Sequence, residues 1–169
     1  QEAPTSKSVR FKWREHVTKT VSENGEALEK FCNALKDGNS EVVEQSLNNY
    51  LKRTISIRDT LVKKQMKENF YHGILLGILG FQQNWSVSSN KESGDGYSDI
   101  LIETEDQETG IIIEIKYAET GNLEAVSEDA LKQIEDRRYE EQLLEEGVEH
   151  ILKYGIAFYK KKCKVMAVK

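Results

Sequence analysis

Apolar residues in the first half of the chain recur at spacings of three and four, the period of a helix face; from residue 85 onward they crowd into short runs of strand length. Over 26–36, Leu28, Phe31, Cys32 and Leu35 share one face, and Asp37-Gly38-Asn39 ends that helix. Ser40, followed by acidic residues, reads as the cap of a second helix carrying Val43, Leu47, Tyr50 and Leu51. The pair predicts a helical hairpin that packs or links and carries no chemistry. Before it lies a polar lead-in with Phe11 and Trp13, turning helical near 13–21. After it, Thr54-Ile55-Ser56-Ile57 is a short β-branched stretch, a strand or a link. Helical spacing returns over 60–79, and the second half of that stretch is apolar nearly all round, which predicts burial.

Strand-like runs follow. Residues 85–89 (Trp85 to Ser89) read as a first strand and 92–96 as a loop, where Asp95 between two glycines serves turn geometry. Then come Tyr97-Ser98-Asp99-Ile100-Leu101-Ile102-Glu103 and Gly110-Ile111-Ile112-Ile113-Glu114-Ile115-Lys116, separated by a polar turn. Two such runs predict a hairpin. A long helix is expected over 123–146, with Ala130, Leu131, Ile134, Leu143 and Leu144 apolar, Ser127 as an internal cap and Gly147 as the stop. Strands over 154–159 and 163–168, joined at Lys160-Lys161-Lys162, complete the order: helix, three strands, helix, two strands.

The central hairpin carries the chemistry. Side chains alternate faces along a strand, so Ile111, Ile113 and Ile115 point one way while Ile112, Glu114 and Lys116 point the other. A carboxylate and an ammonium thus emerge from a run that otherwise reads as buried sheet, and a hairpin brings Asp99 beside Glu114. Hard cations such as Mg²⁺ or Mn²⁺ take oxygen ligands, commonly one or two carboxylates with waters and substrate phosphate. Asp99, Glu114 and the Ile115 carbonyl are the candidate ligands, and Lys116 the group that orients an attacking water. The bland alternative is an ion pair on an exposed sheet face. Glu68 enters a buried helix face, where a carboxylate needs a partner or a metal. His72 beside it reads as a packed helix histidine.

Composition narrows the partners. The chain has 169 residues, 38% hydrophobic and 31% charged, the balance of one globular domain or a core with a helical extension. Its net charge of −5 counts against a dedicated duplex-binding module, and local basic clusters, Arg137-Arg138 and Lys160 to Lys162, are the exceptions. No apolar run reaches membrane-spanning length, and the first residues lack a signal peptide's apolar segment and an initiator Met, the mark of a fragment or processed product. Cys32 and Cys163 lack ligand-spaced partners for zinc and read as free thiols, which suits a reducing cytoplasm.

Asp99, then Glu114-Ile115-Lys116 at the end of an Ile-rich strand, resembles the PD-(D/E)XK nuclease superfamily. Asn69-Phe70-Tyr71-His72-Gly73-Ile74-Leu75-Leu76-Gly77, Ser89-Asn90-Lys91-Glu92-Ser93-Gly94-Asp95-Gly96, Ala130-Leu131-Lys132-Gln133-Ile134 and Lys153-Tyr154-Gly155-Ile156-Ala157-Phe158 look like the nuclease-like domain at the C-terminus of bacterial and archaeal AAA-ATPase-like proteins. The likeness spans about residues 60–169. It implies that Glu68 is the acidic residue of the first core helix, Asp99 and Glu114 the metal ligands, Lys116 the catalytic lysine, and Gln133 a residue positioning lysine or water. Members acting on DNA ends often carry a Tyr shortly after the Gln; here Arg137 and then Tyr139 stand there, and Arg137 is the candidate phosphate contact with Lys160 and Lys161.

The expectation is a three-layer, restriction-endonuclease-like α/β core over residues 59–169. Its mixed central sheet is flanked by the Glu68 and Gln133 helices, after a helical connector and lead-in over 1–58. The expected function is Mg²⁺- or Mn²⁺-dependent DNA hydrolysis beside an ATPase domain outside this chain, in the cytoplasm. The alternative is an inactive nuclease-like module that binds nucleic acid or a partner. Homo-oligomerisation stays open.

Overall fold

In the computed structural model, which describes residues 25–55, 64–91, 97–136 and 139–169, the isoleucine-rich hairpin is the middle of the sheet. Strands β2 (Tyr97–Glu103) and β3 (Thr109–Tyr117) pair antiparallel, and β1 (Ser86–Lys91) pairs antiparallel with β2. On the other side β4 (His150–Tyr159) runs parallel to β3, and β5 (Lys162–Val168) returns antiparallel. The order is β1-β2-β3-β4-β5, a mixed sheet in which only β3–β4 needs a crossover. Helices α1 (Gly25–Asp37), α2 (Ser40–Thr54) and α3 (Lys64–Leu79) precede the sheet; α4 (Leu123–Asp136) and α5 (Tyr139–Glu145) form the crossover.

Strand alternation sorts the core into two layers. Ile111, Ile113 and Ile115 pack with Tyr71, Ile74 and Leu75 of α3 and with Leu35, Leu47 and Leu51 of the helical hairpin. Ile112 faces the opposite way and packs with Ile134, Leu143 and Val148. The three-layer expectation holds, with α1 and α2 sharing the α3 face.

The helical hairpin also closes a sheet edge. β5 is an outer strand, and exposed N–H and C=O groups on such a strand invite pairing with other chains. Asn48 of α2 accepts from the Cys163 N–H at 2.8 Å and donates to its carbonyl at 3.3 Å, while Glu44 accepts from the Val165 N–H at 2.9 Å. Tyr154 donates its hydroxyl to the Leu35 carbonyl at 2.6 Å, tying α1 to β4.

Several boundaries differ from expectation, each for a local reason. The cap of α2 is Asn39, whose side chain accepts from the Val42 N–H at 3.2 Å, with Ser40 already inside the helix. Ser127 is no cap: it is buried inside α4 and donates to the Glu124 carbonyl, while Asn122 accepts from the Ala125 N–H at the true start. Trp85 precedes β1, and its indole N–H donates to Glu105. Thr54 closes α2 and Ile55 is extended, while 56–57 lie outside the described residues.

The expected helix over 123–146 is two helices. At about 100° per residue, the nine steps from Ile134 to Leu143 would put these side chains on opposite sides of one continuous helix. Both are nonetheless buried in the same cluster, and residues 137–138, between α4 and α5, lie outside the described residues. Gly147, at φ +95°, then ends α5 and donates to the Leu144 carbonyl. Both cysteines are buried free thiols; desolvation, with Glu105 adding, pushes Cys32 up to about 11. No described helix is long and apolar enough to cross a membrane.

Candidate metal centre

Asp99 and Glu114 stand directly opposite each other in the β2–β3 register, so their Cβ atoms are roughly 5 Å apart on one sheet face. Both are fully buried, at 0% exposure. They project to the α4 side, in step with Leu101 and Ile112. Gly155 of β4 is the next member of that row, aligned with Glu114 in the parallel register. It is glycine for a steric reason: an added Cβ would lie 2.9 Å from the Leu131 N and closer still to the Ser127 carbonyl. The α4 backbone therefore rests on the row at Gly155.

Among the described residues, neither carboxylate oxygen of Glu114 has a hydrogen-bond partner. A buried, uncompensated carboxylate costs several kcal/mol, and a second carboxylate alongside raises that cost. The Glu114 carboxylate demands a cation or a proton. No group of three or more His, Cys, Asp or Glu side chains converges among the described residues, so the candidate donor set is two carboxylates of hard oxygens, the Ile115 carbonyl being the added candidate. That set fits Mg²⁺ or Mn²⁺, which keep waters and take few carboxylates, and does not fit a nitrogen- and sulfur-rich zinc site.

Around the pair the predicted residues separate. Lys116 follows Glu114 on the same face and is half-buried, and its side chain makes no ion pair or hydrogen bond among the described residues. The side chain of Ile115 packs in the opposite layer, which leaves only its carbonyl for a ligand role. Glu68 of α3 is half-buried and accepts from the Tyr117 N–H at 3.1 Å, gripping β3 just beyond Lys116. Gln133 is half-buried on α4, between buried Ala130 and Ile134. Lys160 is exposed and Lys161 half-buried between β4 and β5. Arg137 and Asp95 lie outside the described residues.

His72 proves to be a packing residue that touches the site. It is buried on α3, and desolvation lowers its pKa, while a hydrogen bond with the Asp99 backbone opposes that. It thereby tethers β2 at the residue that bears the first acid. Gly155 was the other signal to be read: an isolated glycine within a strand marks close approach of another backbone.

A five-stranded mixed sheet, helices on both faces and an acidic cross-strand pair in its central hairpin make a restriction-endonuclease-like α/β fold. The family model described as the PD-(D/E)XK nuclease superfamily matches residues 66–168, from α3 through β5, and the chain belongs to that superfamily. The matched span contains Asp99, Glu114, Lys116 and Gln133. No curated protein matches the chain.

Proposed function

We propose that the chain is a divalent-metal-dependent deoxyribonuclease whose Asp99 and Glu114 hold Mg²⁺ or Mn²⁺. The carrying observation is the fully buried Glu114 carboxylate, beside Asp99, with neither oxygen hydrogen-bonded among the described residues. A bound divalent cation supplies Lewis-acid stabilisation of the charge that builds on the phosphate oxygens. Lys116, one pleat along, orients the attacking water and offsets negative charge as it becomes a stronger nucleophile. Gln133 on α4 positions that water or the lysine. Glu68 holds β3 through the Tyr117 N–H, so it sets where Lys116 stands, and its second oxygen supports a bound water or second ion. Arg137, Lys160 and Lys161 contact phosphates. The resemblance to ATPase-linked nuclease-like domains supports action beside an ATPase domain.

The test is Mg²⁺ and Mn²⁺ titration by calorimetry on wild type and Asp99→Ala, with nicking of plasmid DNA followed in parallel. Wild type is expected to bind the ion and cut; Asp99→Ala should lose both, with cutting reduced at least a hundredfold. Ion binding without cutting on any DNA favours the inactive nucleic-acid-binding module. If wild type binds no ion at millimolar concentration, the catalytic reading fails.

A further inference from the structure

Two lysines at the carboxyl end of β3 and β4 are held over tyrosine rings. Lys67 of α3 places its ammonium 4.5 Å from the centroid of the Tyr117 ring, and Lys160 places its own 5.1 Å from that of Tyr159. The two rings are 6.0 Å apart. Tyr117 directly follows Lys116, and Tyr159 lies two residues beyond Ala157, the β4 partner of Lys116. Both ammoniums thus sit at the end of the sheet where Lys116 emerges.

Neither platform is free to drift. Tyr71, buried on α3, stacks on Tyr117 at 6.0 Å and on Phe158 at 4.4 Å, and donates its hydroxyl to the Lys160 carbonyl at 2.6 Å. Gly121 lies against the Tyr159 ring, where an added Cβ would come within 3.4 Å. Lys160 is moreover an expensive choice for its position. Tyr159 pairs with Lys162, so Lys160 and Lys161 form a two-residue hairpin loop, and Lys160 has φ +52°. Glycine fills such a position with least strain. A lysine there, anchored by a buried tyrosine and poised on a ring, is placed for its charge. On a chain of net charge −5, these are localised cations beside an acidic site.

We propose that Lys67 and Lys160 form a phosphate clamp that grips the backbone of the DNA strand at the reactive end of the sheet. This rests on the nuclease reading above. A nucleic-acid strand carries one charge per about 3.4 Å of helix axis, so ammoniums poised over two rings 6.0 Å apart engage phosphates a few steps apart. The rings hold the ammoniums by cation–π attraction until phosphate takes them, which lowers the entropy lost on binding.

The experiment is fluorescence anisotropy of labelled DNA, duplex and single-stranded, against the intact chain over a salt series. Wild type, Lys160→Gly, Lys67→Gln, Lys67→Arg and the double variant Lys160→Gly/Lys67→Gln are compared. Lys160→Gly relieves the turn, so its melting temperature should be no lower than wild type's while DNA binding weakens. Each lost lysine should flatten the plot of log affinity against log salt by about 0.9 on duplex or 0.7 on single strand. The double variant should lose both increments, and Lys67→Arg should retain the wild-type slope. If wild type binds and the folded variants keep its slope and affinity, the clamp is wrong and the nuclease reading survives. If wild type binds neither DNA, both fall together.

Discussion

Glu114 shows how one residue sets the character of the molecule. It occupies a position that its neighbours Ile111, Ile112, Ile113 and Ile115 would fill with an apolar side chain, and it is as deeply buried as they are. Removing its charge should relieve the apo protein. Glu114→Gln is expected to raise unfolding free energy in EDTA by about 1–3 kcal/mol, the scale of an uncompensated buried charge. Urea unfolding measures this. Added Mg²⁺ should stabilise wild type through binding to the folded state and leave the variant unmoved. A variant less stable than wild type in EDTA would mean that Glu114 is satisfied without a metal. The acids were legible from Asp99 and Glu114 in an apolar hairpin, because alternation and pairing place side chains before any packing is known. The tether from His72 to Asp99 was not legible, since it joins elements by a contact that no spacing encodes.

At the scale of elements, the crossover helix α4 determines how closed the site is. Its approach depends on Gly155, whose missing Cβ lets the Ser127 and Leu131 backbones rest on β4. Gly155→Ala should therefore lift α4 off the acids. The expected cost is about 2–3 kcal/mol, the range for overpacking against atoms that cannot rotate away, and the loss in nicking activity should exceed what the unfolded fraction explains, because Gln133 moves with the helix. Chemical denaturation with activity assayed well below the transition separates the two effects; full activity in the folded variant would show that α4 need not sit flush. The helical periods of 26–36, 40–51 and 60–79 were readable as amphipathic or buried stretches. Ile134 and Leu143 are out of phase for one helix face, and their common burial depends on where the sheet stands.

For the whole molecule, the position of α1 and α2 matters most. The superfamily match begins at residue 66, and a boundary near 58 would make the hairpin a connector. Phe31, Leu35, Leu47 and Leu51 nonetheless belong to the same buried cluster as Ile113 and Tyr154, and Asn48 and Glu44 cover the β5 edge. The hairpin and sheet should accordingly unfold in one cooperative transition, with far-ultraviolet circular dichroism and tryptophan fluorescence giving coincident urea curves. Separate transitions would mark the hairpin as an independent unit. The residue pattern pointed to a packing or linking element here, and the structure specifies which surface it packs on.

The linear chain by itself determined the strands and most helices and the cross-strand meeting of Asp99 with Glu114, because these rest on periodicity and short-range register; the superfamily resemblance rested instead on its motif residues, Asp99 and Glu114-Ile115-Lys116, standing in order. Tertiary structure decided what those features do. It buried the acid pair under α4, turned Glu68 onto the Tyr117 N–H, set Lys67 and Lys160 on their rings, and folded the hairpin over a sheet edge. Each of these depends on the distance between elements far apart in sequence, a quantity that local spacing does not carry.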